Sequence, residues 1–321
     1  MGAHERLRRW IARPVFAPAV DLRGRRIIVT GCTPGSLGFE TARTLLSWGA
    51  DVTVTTRTAP ERTAADLQAA VATIGGHGAV EADTLDLADA GSVGRFTEAF
   101  RNRHAGKLDV LVNNAGIHLD LLSQATEPLR APDGHEIHWR TNYLGTLHLT
   151  LRLLPLLLAN GRDSGDARVV NVSSRLHNRG RNAGLFTPPE KHNSWVAYGL
   201  SKLALNHATF ELHRRYGGSA GPLRAYCLHP GAVYTHIAGK GLAGSPRVAR
   251  ARTTLAPVET LFLRTPSEGA QTQIYCASHP TAAGGHYYRS CAVAQPTADC
   301  ADTGVASRLY DQTVAWVDRL G

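Results

Sequence analysis

Short apolar segments alternate with amphipathic segments along most of this chain. The apolar segments have the length and composition of strands, and strands are predicted at residues 26–30, 51–56, 79–85, 108–112, 168–172 and 223–228, with a last one from Tyr287. Between them, apolar residues recur at helical spacing after Gly38 and over residues 64–74, 93–100, 134–158, 197–215 and 267–277. The chain is therefore predicted to alternate strands and helices.

This alternation predicts the fold class. Apolar strands separated by helices form a parallel sheet with helices on both faces, here an α/β, doubly wound sheet of about seven strands. Residues 21–321 are expected to form a single domain, preceded by a basic arm at residues 1–20. Two irregular stretches break the pattern: residues 175–194, and residues 236–264, which are basic and rich in glycine and are expected to form a substrate lid.

Composition and charge narrow the possible partners. The 321 residues are 43% hydrophobic and 19% charged, which is ordinary for a globular protein. The formal net charge is +9, which would attract an anion such as a phosphorylated cofactor, an acidic lipid or a nucleic acid. The arginines are scattered and neither a zinc-ligand pattern nor an aromatic RNA-binding motif occurs, so nucleic acid is not an expected partner.

The N-terminal arm and the cysteines bear on location. Arg13 and Pro14 interrupt the apolar stretch that a signal peptide would need, so the arm is expected either to pack on its own domain or to touch a membrane surface. No run of about 18 apolar residues occurs, so no transmembrane span is expected. The five cysteines are odd in number and form no C-x-x-C pair, so the prediction is a cytoplasmic protein with no disulfide framework and no metal site.

A glycine-rich turn follows the first strand. It reads Thr-Gly-Cys-Thr-Pro-Gly-Ser-Leu-Gly, and its candidate cofactor-binding residues are Gly31, Gly35, Ser36, Leu37 and Gly38. Glycine lets the backbone approach a pyrophosphate closely, and the helix that follows offers free N–H groups. Because the turn joins the first strand to the first helix, it predicts dinucleotide binding on a Rossmann-type sheet.

The residue after the second strand indicates which dinucleotide is bound. An acidic side chain there would accept hydrogen bonds from an adenosine ribose, but Arg57 stands there and no Asp or Glu follows until Glu61. Arg57 could pair with a 2′-phosphate, which favours NADP(H) over NAD(H), or it could be a solvated surface residue. Asp86, with Leu87 beside it, could accept a hydrogen bond from the adenine amino group or could cap the next helix.

The sequence Tyr198-Gly-Leu-Ser-Lys202 opens a predicted helix. Residues four apart lie on one face, so the phenol and the ammonium can point into the same cleft. A free tyrosine has a pKa of about 10, and a nearby cation lowers it by stabilising the phenolate. Tyr198 is therefore a candidate proton donor and acceptor, and Lys202 can also hold the nicotinamide ribose.

Two further polar residues could complete such a site. Ser174 follows the fifth strand, where a hydroxyl can point into the ligand crevice of a parallel sheet, although Ser173 competes for this role because neighbouring side chains alternate in direction. Asn142 is a poor helix former inside a predicted helix, and it could mark a bend or hold a water for proton relay.

Two turns at strand ends are candidate cofactor contacts. Asn113, Asn114, Ala115 and Gly116 close the fourth strand, where amide side chains can tie strand ends together and small residues let the cofactor lie against the backbone. The sixth strand ends at a turn whose main chain could bond the nicotinamide carboxamide, and the candidates there are Pro230, Gly231, Val233 and Thr235.

Together these segments resemble the short-chain dehydrogenase/reductase family. The resemblance runs from about residue 22 to residue 320, and the motifs occur in the family's order: the glycine turn, NNAG, Asn142, Ser174, Tyr198 with Lys202, then Pro230-Gly231. It implies an oxidoreductase with a tetrad in which Tyr198 moves the proton, Ser174 positions the carbonyl, Lys202 tunes Tyr198 and Asn142 holds a relay water.

A closer resemblance is to the retinol-dehydrogenase-like branch, through SSRLH (173–177), AYGLSKLAL (197–205), LHPGAVYT (228–235) and TPSEGAQTQIY (265–275). It implies a lipophilic carbonyl or alcohol substrate and a homo-oligomer formed through the helices around Leu149 and Leu205.

The glycine turn departs from the family pattern because two residues separate its last two glycines, so either Gly35 or Ser36 takes the middle position. Alternatives are a catalytically silent NADP(H)-sensing protein and a membrane-surface protein led by the basic arm.

Overall fold

A single twisted sheet organises the chain. The computed structural model describes residues 14–104, 106–187, 189–218, 221–233 and 263–320. The sheet has eight strands in the order β3-β2-β1-β4-β5-β6-β7-β8. In chain order they are β1 Arg26–Thr30, β2 Asp51–Thr56, β3 Val80–Thr84, β4 Val110–Asn113, β5 Ala167–Val172, β6 Leu223–Leu228, β7 Tyr287–Arg289 and β8 Ala292–Ala294.

The first seven strands pair in parallel, and β1 lies between β2 and β4. The strand order reverses between β1 and β4, which opens a crevice at the carboxyl ends of these strands. The predicted α/β, doubly wound parallel sheet is thus confirmed. The eighth strand was not predicted: it pairs antiparallel with β7 through a tight turn in which Ser290 and Cys291 have φ of 50° and 58°.

Seven α-helices cover the sheet in the described part of the chain. They are α1 Leu37–Ser47, α2 Pro60–Ala72, α3 Ala90–Arg103, α4 Thr146–Ser164, α5 Ser194–Tyr216, α6 Pro266–Ser278 and α7 Thr303–Asp318. The alternation of side chains along β1 divides the core, because Ile27 and Val29 face one hydrophobic cluster while Ile28 faces the other. One cluster includes α1 and α6, and the other includes α4, α5 and α7.

The predicted helix over residues 134–158 differs from the structure. Helical structure starts at Ile137 and continues as a π-helical segment, Trp139–Gly145, which leads into α4. Gly134 has φ of 84° and belongs to the preceding turn, so the helix cannot begin there. The irregular stretch at residues 175–194 contains two short 3₁₀ turns, Arg175–Arg179 and Asn182–Leu185, and ends at the start of α5.

Several expectations fall partly outside the described residues. Residues 1–13 of the basic arm and residues 236–262 of the expected lid lie outside them. The described end of the arm contacts the domain, since the Ala17 N–H donates to Gln271 Oε1 on α6 at 3.0 Å. No helix in the described ranges is long and apolar enough to cross a membrane. Leu149 and Leu205, around which an interface between copies was expected, are buried in the core of one chain and cannot themselves contact a second copy.

Candidate active site

The glycine turn after β1 is built for close approach of another group. Gly31 and Gly35 have φ of 73° and 77°, which favours glycine over residues with a side chain. A Cβ on Gly38 would lie 2.6 Å from both the Asn114 amide nitrogen and the Gly31 carbonyl oxygen. Any larger residue at position 38 would therefore fill the space between the turn and the end of β4.

The additional residue in this turn is accommodated before the helix begins. Ser36 is the N-cap of α1, with its hydroxyl accepting a hydrogen bond from the Phe39 N–H at 3.2 Å. Gly35 lies in the turn ahead of it with left-handed backbone angles. Leu37 and Gly38 are the first residues of α1, where N–H groups have no carbonyl within the helix to bond. The longer loop thus keeps a helix N-terminus suited to a phosphate.

The NNAG segment fastens this turn to the sheet. The Asn114 amide donates to the Thr30 carbonyl at 2.8 Å and to the Gly31 carbonyl at 3.2 Å, and the Asn113 amide donates to Asn171 Oδ1 at 2.8 Å. The N–H of Ala115 donates to the Thr30 hydroxyl at 2.9 Å. These bonds tie the ends of β1, β4 and β5 together, as the sequence predicts for asparagines at this position.

The same segment connects the glycine turn to the candidate catalytic residues. A Cβ on Gly31 would lie 2.9 Å from the Cα atom of Ala115. A Cβ on Gly116 would lie 3.2 Å from Asn142 Oδ1 and 3.3 Å from Lys202 Nζ. The small residues therefore let the glycine turn, the NNAG segment and Lys202 pack close to one another at this edge of the sheet.

The residues expected at the adenosine end lie in different environments. Arg57 is exposed just after β2, and its guanidinium has no hydrogen bond or ion pair with another residue in the described ranges. Asp86 does not cap a helix, because Asp89 is the N-cap of α3; instead its carboxylate accepts from the Ala88 N–H at 2.9 Å. Leu87 is buried, and its carbonyl accepts a hydrogen bond from Arg140 at 2.6 Å.

Tyr198 and Lys202 share one face at the start of α5. This helix is capped by Asn193, whose side chain accepts hydrogen bonds from the Trp195 and Val196 N–H groups at 3.0 and 3.1 Å. Lys202 Nζ lies 5.8 Å from the centroid of the Tyr198 ring and donates to the Val172 carbonyl at the end of β5, at 2.8 Å. Lys202 is only 3% exposed, so its ammonium faces the protein and not the solvent.

The two serines after β5 have different partners. Ser173 is buried, and its hydroxyl donates to the Lys202 carbonyl at 3.3 Å. Ser174 hydrogen-bonds to the Tyr198 side chain, and its hydroxyl also accepts from the Leu176 N–H at 3.2 Å. The structure therefore brings Ser174, and not Ser173, to the phenol.

Asn142 lies within the π-helical segment and is completely buried. Its Oδ1 accepts from the Ile117 N–H at 2.8 Å, and its Nδ2 donates to the Ile117 carbonyl at 2.9 Å and to the Ser201 hydroxyl at 3.2 Å. The side chain thus connects the main chain of Ile117, in the segment that follows NNAG, to Ser201 on α5. The asparagine thus lies at an irregularity of the helix, the π-helical segment.

Burial dominates the electrostatics of the pair. It raises the pKa of the Tyr198 phenol to about 12, against the opposing effect of the hydrogen bond from Ser174. Burial also lowers the pKa of the Lys202 ammonium to about 8, because a charged group is poorly solvated there. From the sequence, the nearby cation was expected to lower the pKa of the phenol. In the protein without cofactor, the cost of burying a phenolate is the larger effect.

The turn after β6 is closed by an arginine. Gly231 has φ of 88°, and a Cβ there would lie 3.1 Å from the Arg264 side chain. Arg264 donates to the Pro230 carbonyl at 3.2 Å and to the Ser290 hydroxyl at 2.8 Å, and its backbone pairs with Val233. Thr235, the last of the predicted contacts, lies outside the described residues.

Sequence reasoning missed an aromatic cluster at the phenol. The His118 imidazole stacks on the Tyr198 ring with centroids 4.1 Å apart, and Trp195 and His138 meet His118 edge-on at 4.8 and 5.8 Å. His118 comes two residues after NNAG and Trp195 three residues before Tyr198. Their position beside recognised motifs was a signal that they could belong to the site. The sequence does not show which of these side chains contact Tyr198.

Comparisons with known proteins agree with this geometry. The family described as short chain dehydrogenase matches residues 25–244. Human retinol dehydrogenase 11 is 33% identical over 316 residues, covering 96% of this chain and 91% of that protein. The crystal structure of an uncharacterized protein from Mycobacterium Paratuberculosis superposes with a TM-score of 0.65 at 30% identity, covering 96% of this chain and 97% of that one. The Pseudomonas aeruginosa RhlG/NADP active-site complex gives a TM-score of 0.61 at 26% identity, covering 84% and 96%.

The chain therefore belongs to the short-chain dehydrogenase family and is an oxidoreductase on a Rossmann-type sheet. Within the family it falls in the retinol-dehydrogenase-like branch, as its sequence motifs suggested.

Proposed function

We propose that this protein interconverts a carbonyl and an alcohol with NADP(H) as the cofactor, and that Tyr198 moves the accompanying proton. The observation that carries the proposal is the grouping of Tyr198, Ser174 and Lys202 beside the NNAG segment, which packs against the glycine turn. When bound, the nicotinamide supplies the hydride in reduction and accepts it in oxidation.

Each side chain has a defined task in this proposal. Tyr198 holds its proton at neutral pH, because its pKa is raised to about 12, and so it can protonate a carbonyl oxygen during reduction. Ser174, already hydrogen-bonded to the phenol, orients that oxygen. Lys202 binds the nicotinamide ribose and stabilises the phenolate that reduction leaves behind. Asn142 holds the Ile117 main chain, and its role in a proton relay through water remains a prediction.

The cleft residues are proposed to hold the cofactor along its length. The first-turn N–H groups of Leu37 and Gly38 would bind the pyrophosphate, with Gly31, Gly35 and Ser36 shaping the turn around it. Ala115 and Gly116 would contact the middle of the cofactor. The nicotinamide carboxamide would meet the turn containing Pro230, Gly231 and Val233, and Asp86 and Leu87 the adenine.

The preference for NADP(H) over NAD(H) rests on Arg57. Its guanidinium is exposed and lacks a partner in the described ranges, so it is available to pair with a 2′-phosphate. The RhlG/NADP complex among the similar structures supports the same choice. We expect Arg57→Ala to raise the Kd for NADPH by roughly tenfold, the value of a charge-assisted hydrogen bond, and to leave the Kd for NADH nearly unchanged. Equal changes for both cofactors would contradict this assignment.

The proposed substrate is a small, lipophilic carbonyl or alcohol compound. The similarity to retinol dehydrogenases supports it, and the half-buried Trp195 next to the phenol offers an apolar surface. A cytoplasmic location and a homo-oligomer belong to the same proposal, the former supported by five free cysteines. Contact of the basic arm with a membrane surface stays a prediction.

Replacing Tyr198 by Phe tests the proposed chemistry. The variant keeps the ring and its stacking but removes the hydroxyl, so NADPH oxidation with any aldehyde or ketone should be lost while NADPH binding, measured by fluorescence titration, stays near that of the wild type. In the wild type, oxidation of an alcohol should accelerate as pH rises, because the phenol must first lose a proton. Undiminished turnover by Tyr198→Phe would overturn the proposal.

A further inference from the structure

A buried histidine shares the site with the phenol. His118 is 6% exposed, and its ring lies nearly parallel to that of Tyr198, at 13° with centroids 4.1 Å apart. Trp195 meets the imidazole edge-on at 4.8 Å. The phenol is thus packed against a ring from the segment that follows NNAG, in addition to its own helix.

The position of His118 is fixed by its neighbour in sequence. The Leu119 N–H donates to His138 Nε2 at 2.9 Å, and His138 Nδ1 donates to a Glu136 carboxylate oxygen at 2.7 Å. Because Nε2 of His138 accepts a hydrogen bond, its proton must lie on Nδ1, which faces Glu136. A main-chain group next to His118 is therefore held by a carboxylate–imidazole pair.

One polar atom of this cluster is left without a partner. Nε2 of His118 is buried and has no hydrogen bond within the described ranges. Burial, together with the nearby His138 and Lys202 side chains, lowers the pKa of His118 to about 4, against the opposing effect of Asp120. The ring is therefore neutral near pH 7, with one nitrogen that donates and one that accepts. A buried polar atom without a partner is costly, which is a reason to expect that a bound molecule supplies one.

We propose that His118 positions Tyr198 by stacking and that its Nε2 hydrogen-bonds a second oxygen of the substrate, beside the carbonyl that reacts. This deepens the proposed function and rests on it. The substrate class is narrowed to carbonyl compounds with a neighbouring hydroxyl or carbonyl group, such as hydroxyketones and diketones. The neutral imidazole suits an uncharged group of either kind, since it can donate or accept.

Two variants separate the stacking from the hydrogen bond. His118→Phe keeps a flat ring against Tyr198 but removes both nitrogens, whereas His118→Leu removes the aromatic ring as well. Cyclohexanone and 2-hydroxycyclohexanone serve as probes with NADPH, because they differ only by the second oxygen. His148→Phe is the control, since His148 is also a buried histidine with a pKa lowered to about 4 and an unpartnered ring nitrogen, but it lies on α4 against Trp316.

The expected results differ between probes and variants. In His118→Phe, kcat/KM for 2-hydroxycyclohexanone should fall roughly tenfold, as for one lost hydrogen bond, while that for cyclohexanone should stay within about twofold. In His118→Leu, kcat should fall for both probes because the phenol loses its stacking partner, and His118→Phe should restore kcat for cyclohexanone. His148→Phe should leave the preference between the probes unchanged.

The outcomes also distinguish this inference from the proposed function. If the wild type is active, an equal fall in kcat/KM for both probes in His118→Phe, or no fall for either, would overturn the role of His118. The assignment of Tyr198 would stay intact. A wild type that binds NADPH but turns over no carbonyl compound would overturn the proposed function, and the role of His118 with it.

Discussion

Replacing Lys202 by Met should change how the stability of the protein depends on pH. Lys202 is 3% exposed, and its ammonium donates a hydrogen bond to the Val172 carbonyl at 2.8 Å. Burial lowers its pKa from 10.5 to about 8. The folded state therefore releases this proton at a lower pH than the unfolded state does.

The sign of the effect follows from proton binding. Between pH 8 and pH 10.5 the unfolded chain holds the Lys202 proton and the folded chain does not, so the free energy of unfolding rises with pH. Below this window the full cost of the buried charge is present, roughly 3 kcal/mol for the lowering seen here. About 2 kcal/mol of it should be relieved between roughly pH 7 and pH 9.5. Methionine has a similar shape and no charge, so the variant lacks this contribution.

Urea unfolding of the protein without cofactor, at these two pH values, measures the effect. Buried tyrosines ionise near the upper pH only in the unfolded chain, where the pKa of a phenol is about 10, and this also changes the free energy of unfolding. The informative quantity is therefore the pH-dependent change in the wild type minus that in Lys202→Met. Lys107→Met is the matched control, because Lys107 also donates to a backbone carbonyl, that of Gly24 at 2.8 Å, but its side chain is exposed. The control should behave as the wild type does.

The result that would refute the reasoning is an identical pH dependence in the wild type and Lys202→Met. It would mean that the ammonium is solvated in the folded protein, and the buried position of Lys202 beside Tyr198 would then not exist in solution. We also expect Lys202→Met to be more stable than the wild type at neutral pH and to lose turnover, because the buried charge serves function at a cost in stability.

Two substitutions away from the phenol test how the fold supports the site. Gly145→Ala should destabilise the protein by about 1–3 kcal/mol, because a Cβ there would lie 2.1 Å from the Leu87 carbonyl oxygen; an unchanged urea midpoint would show that the π-helical segment can move away. Arg168→Met should cost about 3 kcal/mol in the same measurement, because it removes a buried guanidinium that pairs with the partly buried Asp166 at 2.7 and 2.9 Å and leaves two carbonyls near the end of α6 without their donor. A loss below about 1 kcal/mol would contradict the importance given to this pair.

The regular elements of the fold were predictable because their signal is local. Strand β6 and most of α5 follow from residue composition and periodicity, and parallel pairing follows from the alternation of strands and helices. Strand β8 was missed because it is three residues long and depends on a turn in which Ser290 and Cys291 adopt left-handed angles that neither residue favours. The pattern of the chain therefore determines the sheet but not its last edge.

The catalytic candidates divide in the same way. The spacing of Tyr198 and Lys202 is fixed by one turn of helix, so the sequence by itself determined that the phenol and the amine share a face. The choice of Ser174 over Ser173, the contact of His118 with Tyr198 and the burial that sets both pKa values were decided only by the tertiary structure. These depend on how β4, β5 and α5 pack against each other. Packing between segments far apart in the chain leaves no periodic signal in the sequence.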